Sequence, residues 1–315
     1  MGDDLRAIDR QLPVHPDCDE CPARHQCLAA FSDTRCWDSS FYPEQYDHPD
    51  RGTGTEPDLI MRDPPRWARV PTEKRALPIL GRHASKEFPE FVAPISALMS
   101  ELKGGSNIDA PEPVAFLGMG HDQKLSQLLQ LQPRLASGVG PPVIGPIFST
   151  WDDAPPFQHH TATAWTLHME RLVAHHGAAV PGVPLSRHVD MRHHRRLLVE
   201  GDARDVAVDL ALNSERNWKA AVANLCALHA AVEDLNLRLI AHGPFALQRL
   251  REVVEIWGSN VVFVSKGPEI YANRGHAVTP TLEKHLEMTY SKQELLPMNV
   301  AAFEEAVASL LESSG

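Results

Sequence analysis

Asp205–Leu212 reads DVAVDLAL and Leu237–Gly243 reads LRLIAHG, and the segment between them, NWKAAVANLCALHAAVEDL (217–235), changes period. The two flanking runs are short, apolar and bounded by turn-forming residues, the mark of buried strands. The intervening segment places apolar residues at 218, 221, 222, 225, 228 and 232, which is one face of a helix. A strand, a helix and a second strand in that order need a crossover, and the crossover makes the strands parallel. Working outward, the same alternation recurs. ALQRLREVVEIW (246–257) leads to NVVFVS (260–265), and upstream lie ALPILG (76–81), PVAFLG (113–118), PPVIGPIF (141–148) and AAVPGVPL (178–185). FPEFVAPISALMSELK (88–103), DQKLSQLLQLQPRLA (122–136), TATAWTLHMERLVAHH (161–176) and a basic stretch around 190–199 have helix-like periodicity. Strand–helix alternation seven times over predicts an α/β fold with a parallel sheet, closed as a complete or partial (β/α) barrel. A doubly wound open sheet is the alternative.

The rest of the chain divides around this core. Residues 76–315 form the predicted barrel domain, with one or two helices in the tail after Leu282. Residues 38–75 are rich in Pro, Gly, Asp and Thr without a sustained period, and read as a linker or an irregular wrap. Residues 1–37 form a cysteine-rich segment. The fifth cysteine, Cys226, falls among the apolar positions of 217–235 and reads as a packing residue.

At 315 residues and 43% hydrophobic, the chain can bury one large core with an appendage. No run approaches the roughly 18 apolar residues of a membrane span, and MGDDLRAIDR lacks the features of a secretory signal, so the expectation is a soluble, cytoplasmic protein. A net charge of −11 argues against a surface that grips nucleic acid everywhere. One local patch stands out, RHVDMRHHRR (187–196), through which a nucleic acid or nucleotide partner would be met. A solvated face is the plainer reading of the same residues.

In such barrels the residues just after each strand converge on one mouth, where active sites lie. His121 and Asp122 follow one run, Ser149, Asp152 and Asp153 the next, Arg187 the one after, then His242, then Lys266, with Arg274 a little beyond. Acids and histidines suit general acid–base or nucleophilic work, and the cations suit an anionic substrate. Asp122, Asp152, Asp153 and Ser214 are equally good helix caps. His242 and Asp209 are more telling, because each interrupts a markedly apolar run where a polar group needs a reason. Asp209 either points into a barrel lumen or lies outward on a covered face. The predicted catalytic set is Asp152, Asp153, Asp209, His121 and His242, and the predicted substrate-binding set is Asp122, Ser149, Arg187, Lys266 and Arg274. The sequence GMG at 118–120 lacks the third glycine of a dinucleotide fingerprint, and neither H-E-x-x-H nor G-x-S-x-G occurs.

Cys18, Cys21, Cys27 and Cys36 have the spacing C-x2-C-x5-C-x8-C, close enough for four thiolates to meet on one metal. In a reducing compartment a metal site outranks disulfides. The wording CDECPARHQCLAA (18–30) resembles the C-x-x-C-P-V-R-x-x-C-L segment of the WhiB-like proteins. That resemblance implies a [4Fe–4S] cluster on Cys18, Cys21 and Cys27; the family's fourth cysteine lies upstream, whereas the candidate here, Cys36, lies downstream, and zinc is the alternative metal.

Two further resemblances bear on function. VAFLGMGHDQKLSQLL, VIGPIFSTWDDAPP, HHGAAVPGVP, VAVDLALNSERNWKAA and LIAHGP, spanning about 113–244, are similar in order to an uncharacterised phage- and plasmid-associated α/β domain family. LIAHGPFALQRLREVVE, YANRGHAVT and LLPMNVAAFEEAV faintly resemble the queuine-type tRNA transglycosylases and their DNA-modifying relatives. Those are (β/α) barrels that exchange guanine for a 7-deazaguanine through an aspartate nucleophile; the D-S-G-G-F-Q motif of that family does not occur here. Together they imply an enzyme acting on a nucleobase, nucleotide or nucleic acid by transglycosylase-like base exchange. A redox-sensing regulatory protein on a barrel scaffold is the alternative.

Overall fold

The structure, a computed structural model, describes residues 67–81, 88–96, 112–119, 141–147, 166, 179–185, 194–195, 198–199, 201–211, 214–287 and 289–314. In chain order the strands are β1 (Ala76–Pro78), β2 (Val92–Pro94), β3 (Ala115–Met119), β4 (Val143–Ile147), β5 (Ala179–Val180), β6 (Gly182–Val183), β7 (Asp205–Asp209), β8 (Arg238–His242), β9 (Val261–Ser265), β10 (His276–Val278) and β11 (Lys284–Leu286). The helices are α1 (Glu215–Val232), α2 (Leu247–Trp257), α3 (Gly267–Asn273) and α4 (Lys292–Ser313).

Two parallel sheets form the centre, one ordered β1-β9-β8-β7-β6 and the other β2-β3-β4-β5. The α/β class with parallel strands is therefore the architecture. A parallel bridge between Ile79 and Val92 links the sheets at one side. On the other, Pro181 alone separates β5, which pairs with β4, from β6, which pairs with β7. Pro181 has no amide hydrogen to give a ladder, and its carbonyl accepts from Ala207 N at 2.7 Å.

The pleat sorts the side chains into two cores. Val206, Val208, Leu239, Ala241, Val261 and Phe263 pack with the apolar faces of α1, α2 and α4. The alternate residues, Ala207, Ile240, Val262 and Val264, join Leu77, Val92, Ala115, Leu117, Ile144 and Val180 in a second cluster to which both sheets contribute. Each fully buried aliphatic side chain here stabilises by roughly 1.5–3 kcal/mol, so neither face is optional.

Helix α1 starts where Ser214 accepts from Asn217 N at 3.1 Å, and buries Trp218, Ala221, Leu225, Leu228 and Val232 at helical spacing. Cys226 is exposed, contrary to its reading as a packing residue. One residue beyond Leu225 is about 100° round the helix, which carries the thiol off the buried stripe.

Two further expectations change. FPEFVAPISALMSELK, read as helical, contains β2, whose Val92 O accepts from Leu80 N at 3.0 Å while Phe91 O accepts from Val114 N at 2.9 Å. Phe91, Val92, Ala93 and Ile95 are all buried. A strand covered on both faces has no alternation to betray it. The tail, read as one or two helices, carries one among the described residues, α4, but begins with β11, antiparallel to β10. Asn299 of α4 holds that hairpin: its side chain accepts from Val278 N at 2.8 Å and donates to His276 O at 2.9 Å.

The segment ahead of β1 crosses the amino ends of the strands. Ala68 N donates to Ala179 O at 2.7 Å, Val70 N to Asp205 Oδ2 at 2.8 Å, and Val70 is fully buried in the second cluster.

Candidate functional site

Asp209 and His242 are the last residues of adjacent parallel strands and are register partners. By the two-residue period Asp209 shares a face with Ala207, and His242 with Ile240, so both lie on the side of the core to which both sheets contribute. Asp209 therefore lies on the face of Ala207 and Ile240 rather than the face that packs on α1 and α2. Asp209 Oδ1 lies 2.9 Å from His242 Nδ1, and the side chains are 12% and 5% exposed.

The carboxylate is itself fixed. Asp209 Oδ1 also accepts from Ala211 N at 3.0 Å, a local turn that aspartate favours where a strand ends. Gly243 makes room for it: at φ +109°, a Cβ there would lie 2.4 Å from the Ala211 backbone. A carboxylate only accepts, so Nδ1 carries a hydrogen toward Asp209, and Nε2 is the ring nitrogen left to exchange a proton. Among the described residues Nε2 has no hydrogen-bond partner. An imidazole fixed at Nδ1 and unengaged at Nε2 is equipped to take a proton and return it.

Lys266 follows β9 at the same end. His242 is the register partner of Val264, and Gly243 N donates to Val264 O at 2.8 Å, so Lys266 stands two residues past the neighbour of the imidazole. It is half-buried, and its ammonium has no ion-pair or hydrogen-bond partner among the described residues. Beside it the Phe245 ring lies against Gly267, where a Cβ would be 2.1 Å from the ring. Phe245 and Tyr271 then pack tilted with centroids 5.4 Å apart. Arg274 caps the carboxyl end of α3 and is exposed.

The remaining candidates fall elsewhere. His121, Asp122, Ser149, Asp152, Asp153, Arg187 and the four cysteines Cys18, Cys21, Cys27 and Cys36 lie outside the described residues. Of the basic stretch 187–196, His194 and Arg195 are described. His194 is buried. Arg195 is committed to Asp234, with Nη2 2.8 Å from Oδ2 and Nη1 on both Oδ1 and Ala231 O. The hydrogen bond from Arg195 holds the Asp234 carboxyl below its usual range, and the same bond raises the guanidinium. Arg195 is therefore an intramolecular brace rather than an open phosphate contact. Among the described residues no group of three or more His, Cys, Asp and Glu is placed to hold a metal, and no helix is long and apolar enough to cross a membrane.

The sequence pointed to Asp209, His242 and Lys266 but missed the Ala211 amide and Gly243. The dipeptide His-Gly at a strand end was the available signal for the latter, since a glycine there marks a close backbone approach.

No family model and no curated protein matches the sequence. Among solved structures, the chain is similar to one in the crystal structure of the Amycolatopsis orientalis BexX/CysO complex, at 14% identity over 80% of this chain and 96% of that one, with a TM-score of 0.44.

Proposed function

We propose that the chain is an enzyme acting on a nucleobase, nucleotide or nucleic acid by general acid–base chemistry, in the manner of base exchange at a glycosidic bond. The observation that carries the acid–base part is the Asp209–His242 pair at the carboxyl ends of neighbouring parallel strands. The substrate class rests on the resemblance of LIAHGPFALQRLREVVE and YANRGHAVT to transglycosylases. In this reading the eight parallel strands close into a barrel, β5 and β6 being one strand divided at Pro181. The Ile79–Val92 bridge and the shared inner cluster support that closure. The pair then stands at the mouth, where barrel chemistry is done.

During exchange the leaving base gains a proton as its glycosidic bond breaks, and the incoming base loses one as the new bond forms. His242 Nε2, protonated as exchange begins, gives the first and takes the second, so the imidazolium ends as it began. Asp209 is a positioning residue, occupied with Nδ1 and the Ala211 amide. That leaves the nucleophilic carboxylate to Asp152 or Asp153. The phage- and plasmid-associated likeness over 113–244 fits an enzyme that modifies nucleic acid.

The test is incorporation of labelled guanine or 7-deazaguanine into tRNA and into DNA. His242→Gln is expected to lower exchange about 10²–10⁴-fold, and Asp209→Asn to lower kcat while leaving KM near its original value. Absence of exchange with every substrate removes the nucleobase reading, and full activity in His242→Gln removes the acid–base assignment.

We propose separately that Cys18, Cys21, Cys27 and Cys36 hold a [4Fe–4S] cluster, with zinc as the other metal these thiolates suit. Anaerobic purification with metal analysis decides it. About four irons per chain, lost in Cys21→Ala, support the cluster, and one zinc per chain replaces it.

A further inference from the structure

We infer that Lys266 is the anchor for a phosphoryl group on the substrate, so that the molecule turned over beside His242 is a phosphate ester rather than a free base or nucleoside. The inference deepens the reading above and rests on it for the location of the chemistry. Its own support is the ammonium. Lys266 is half-buried as a residue, and its ammonium, unpartnered among the described residues, stays open to solvent and so to an incoming ligand. The acids around it are occupied. Asp209 holds His242 and the Ala211 amide, and Glu269, three residues on, accepts from Gly81 N at 3.0 Å. The Ser265 hydroxyl before it accepts from Gly267 N at 3.1 Å. A cation left uncompensated by every described neighbour, at the end of the strand next to the imidazole, is what an incoming anion completes.

The choice of phosphoryl follows from two considerations. With a net charge of −11 the molecule has no general positive field, so an anionic substrate must be met by a local cation. In barrels the loops after the seventh and eighth strands frequently hold phosphate, and Lys266 follows β9, the eighth when β5 and β6 count as one strand. The aromatic pair Phe245–Tyr271, seated on Gly267, gives the same region an apolar wall.

The experiment is calorimetric titration of the full-length protein with inorganic phosphate, with guanosine 5′-monophosphate, with guanosine and with a short single-stranded oligonucleotide. The expected result is that the monophosphate binds at least about tenfold more tightly than guanosine. Lys266→Met should erase that difference, Lys266→Arg should restore most of it, and His242→Gln and the exposed Lys219→Met should leave it intact. Lys266→Gln repeats the measurement should the methionine variant unfold. Equal affinities for the monophosphate and guanosine, a difference that survives Lys266→Met, or no binding of any phosphate compound overturns the inference. Binding of inorganic phosphate that depends on Lys266, with no preference for a guanine compound, upholds the anchor and discards the nucleobase reading. Preference for the oligonucleotide over the monophosphate, lost in Lys266→Met, makes the phosphoryl source a phosphodiester.

Discussion

Asp205 and Arg238 face each other across the first rung of the β7–β8 ladder, joined by two parallel bonds of 2.9 Å (Nε to Oδ1) and 2.7 Å (Nη2 to Oδ2). The same guanidinium donates to Thr72 O at 2.7 Å and Val70 O at 2.6 Å. Both side chains are almost wholly buried, 0% and 5% exposed. Removing one partner strands the other charge, so Arg238→Met or Asp205→Leu is expected to cost about 3–5 kcal/mol. The double replacement should cost less than the two single ones summed. Urea unfolding of the three variants checks this; additive losses would mean that the pair is not coupled.

Gly243→Ala should be harmful out of proportion to one methyl group. The positive φ costs an alanine about 1–3 kcal/mol, and the new Cβ meets the Ala211 backbone at 2.4 Å. Because the Ala211 amide holds Asp209, the damage should reach the imidazole. The expected signature is a lower Tm together with loss of the Asp209–His242 bond, read from the Nδ1 proton resonance. An unchanged resonance in a folded variant would separate the glycine from the site.

Acid should weaken the fold partly through two surface carboxylates. The hydrogen bond from Arg195 lowers the Asp234 pKa, and the Ser291 backbone and hydroxyl, in that order, lower that of Glu294. A carboxyl with a depressed folded-state pKa stabilises above its ordinary value, about 4, and the contribution is lost as pH falls through that region. Asp234→Asn and Glu294→Gln should therefore flatten the decline of stability below about pH 4. Glutamine retains the capping geometry at 294, so only the charge is removed. A decline identical to that of the parent protein would show that these bonds do not persist in solution.

The parts legible in the sequence were those with a clear period or a clear anomaly. DVAVDLAL and LRLIAHG gave β7 and β8, and the two polar residues that broke their apolar pattern proved to be neighbours. Asp205 and Arg238 were not singled out, because a charge at the first residue of a run looks like its solvated edge; only the register shows that the two meet. Strand β2 was hidden by burial on both sides, and the β10–β11 hairpin by its short strands, of which β11 is exposed throughout. The pairing of Arg195 with Asp234 was equally hidden, since spacing along the chain carries no trace of a contact between residues 39 apart.

The staple from Arg238 to Val70 and Thr72 also fixes from which side the chain is threaded. Trp67 N donates to Gly201 O at 3.5 Å and Ala68 N to Ala179 O at 2.7 Å, both on the side where the strands begin. Trp67 and Ala68 are consequently tied at the amino ends of the strands, a strand's length of roughly 16 Å from the imidazole at their carboxyl ends.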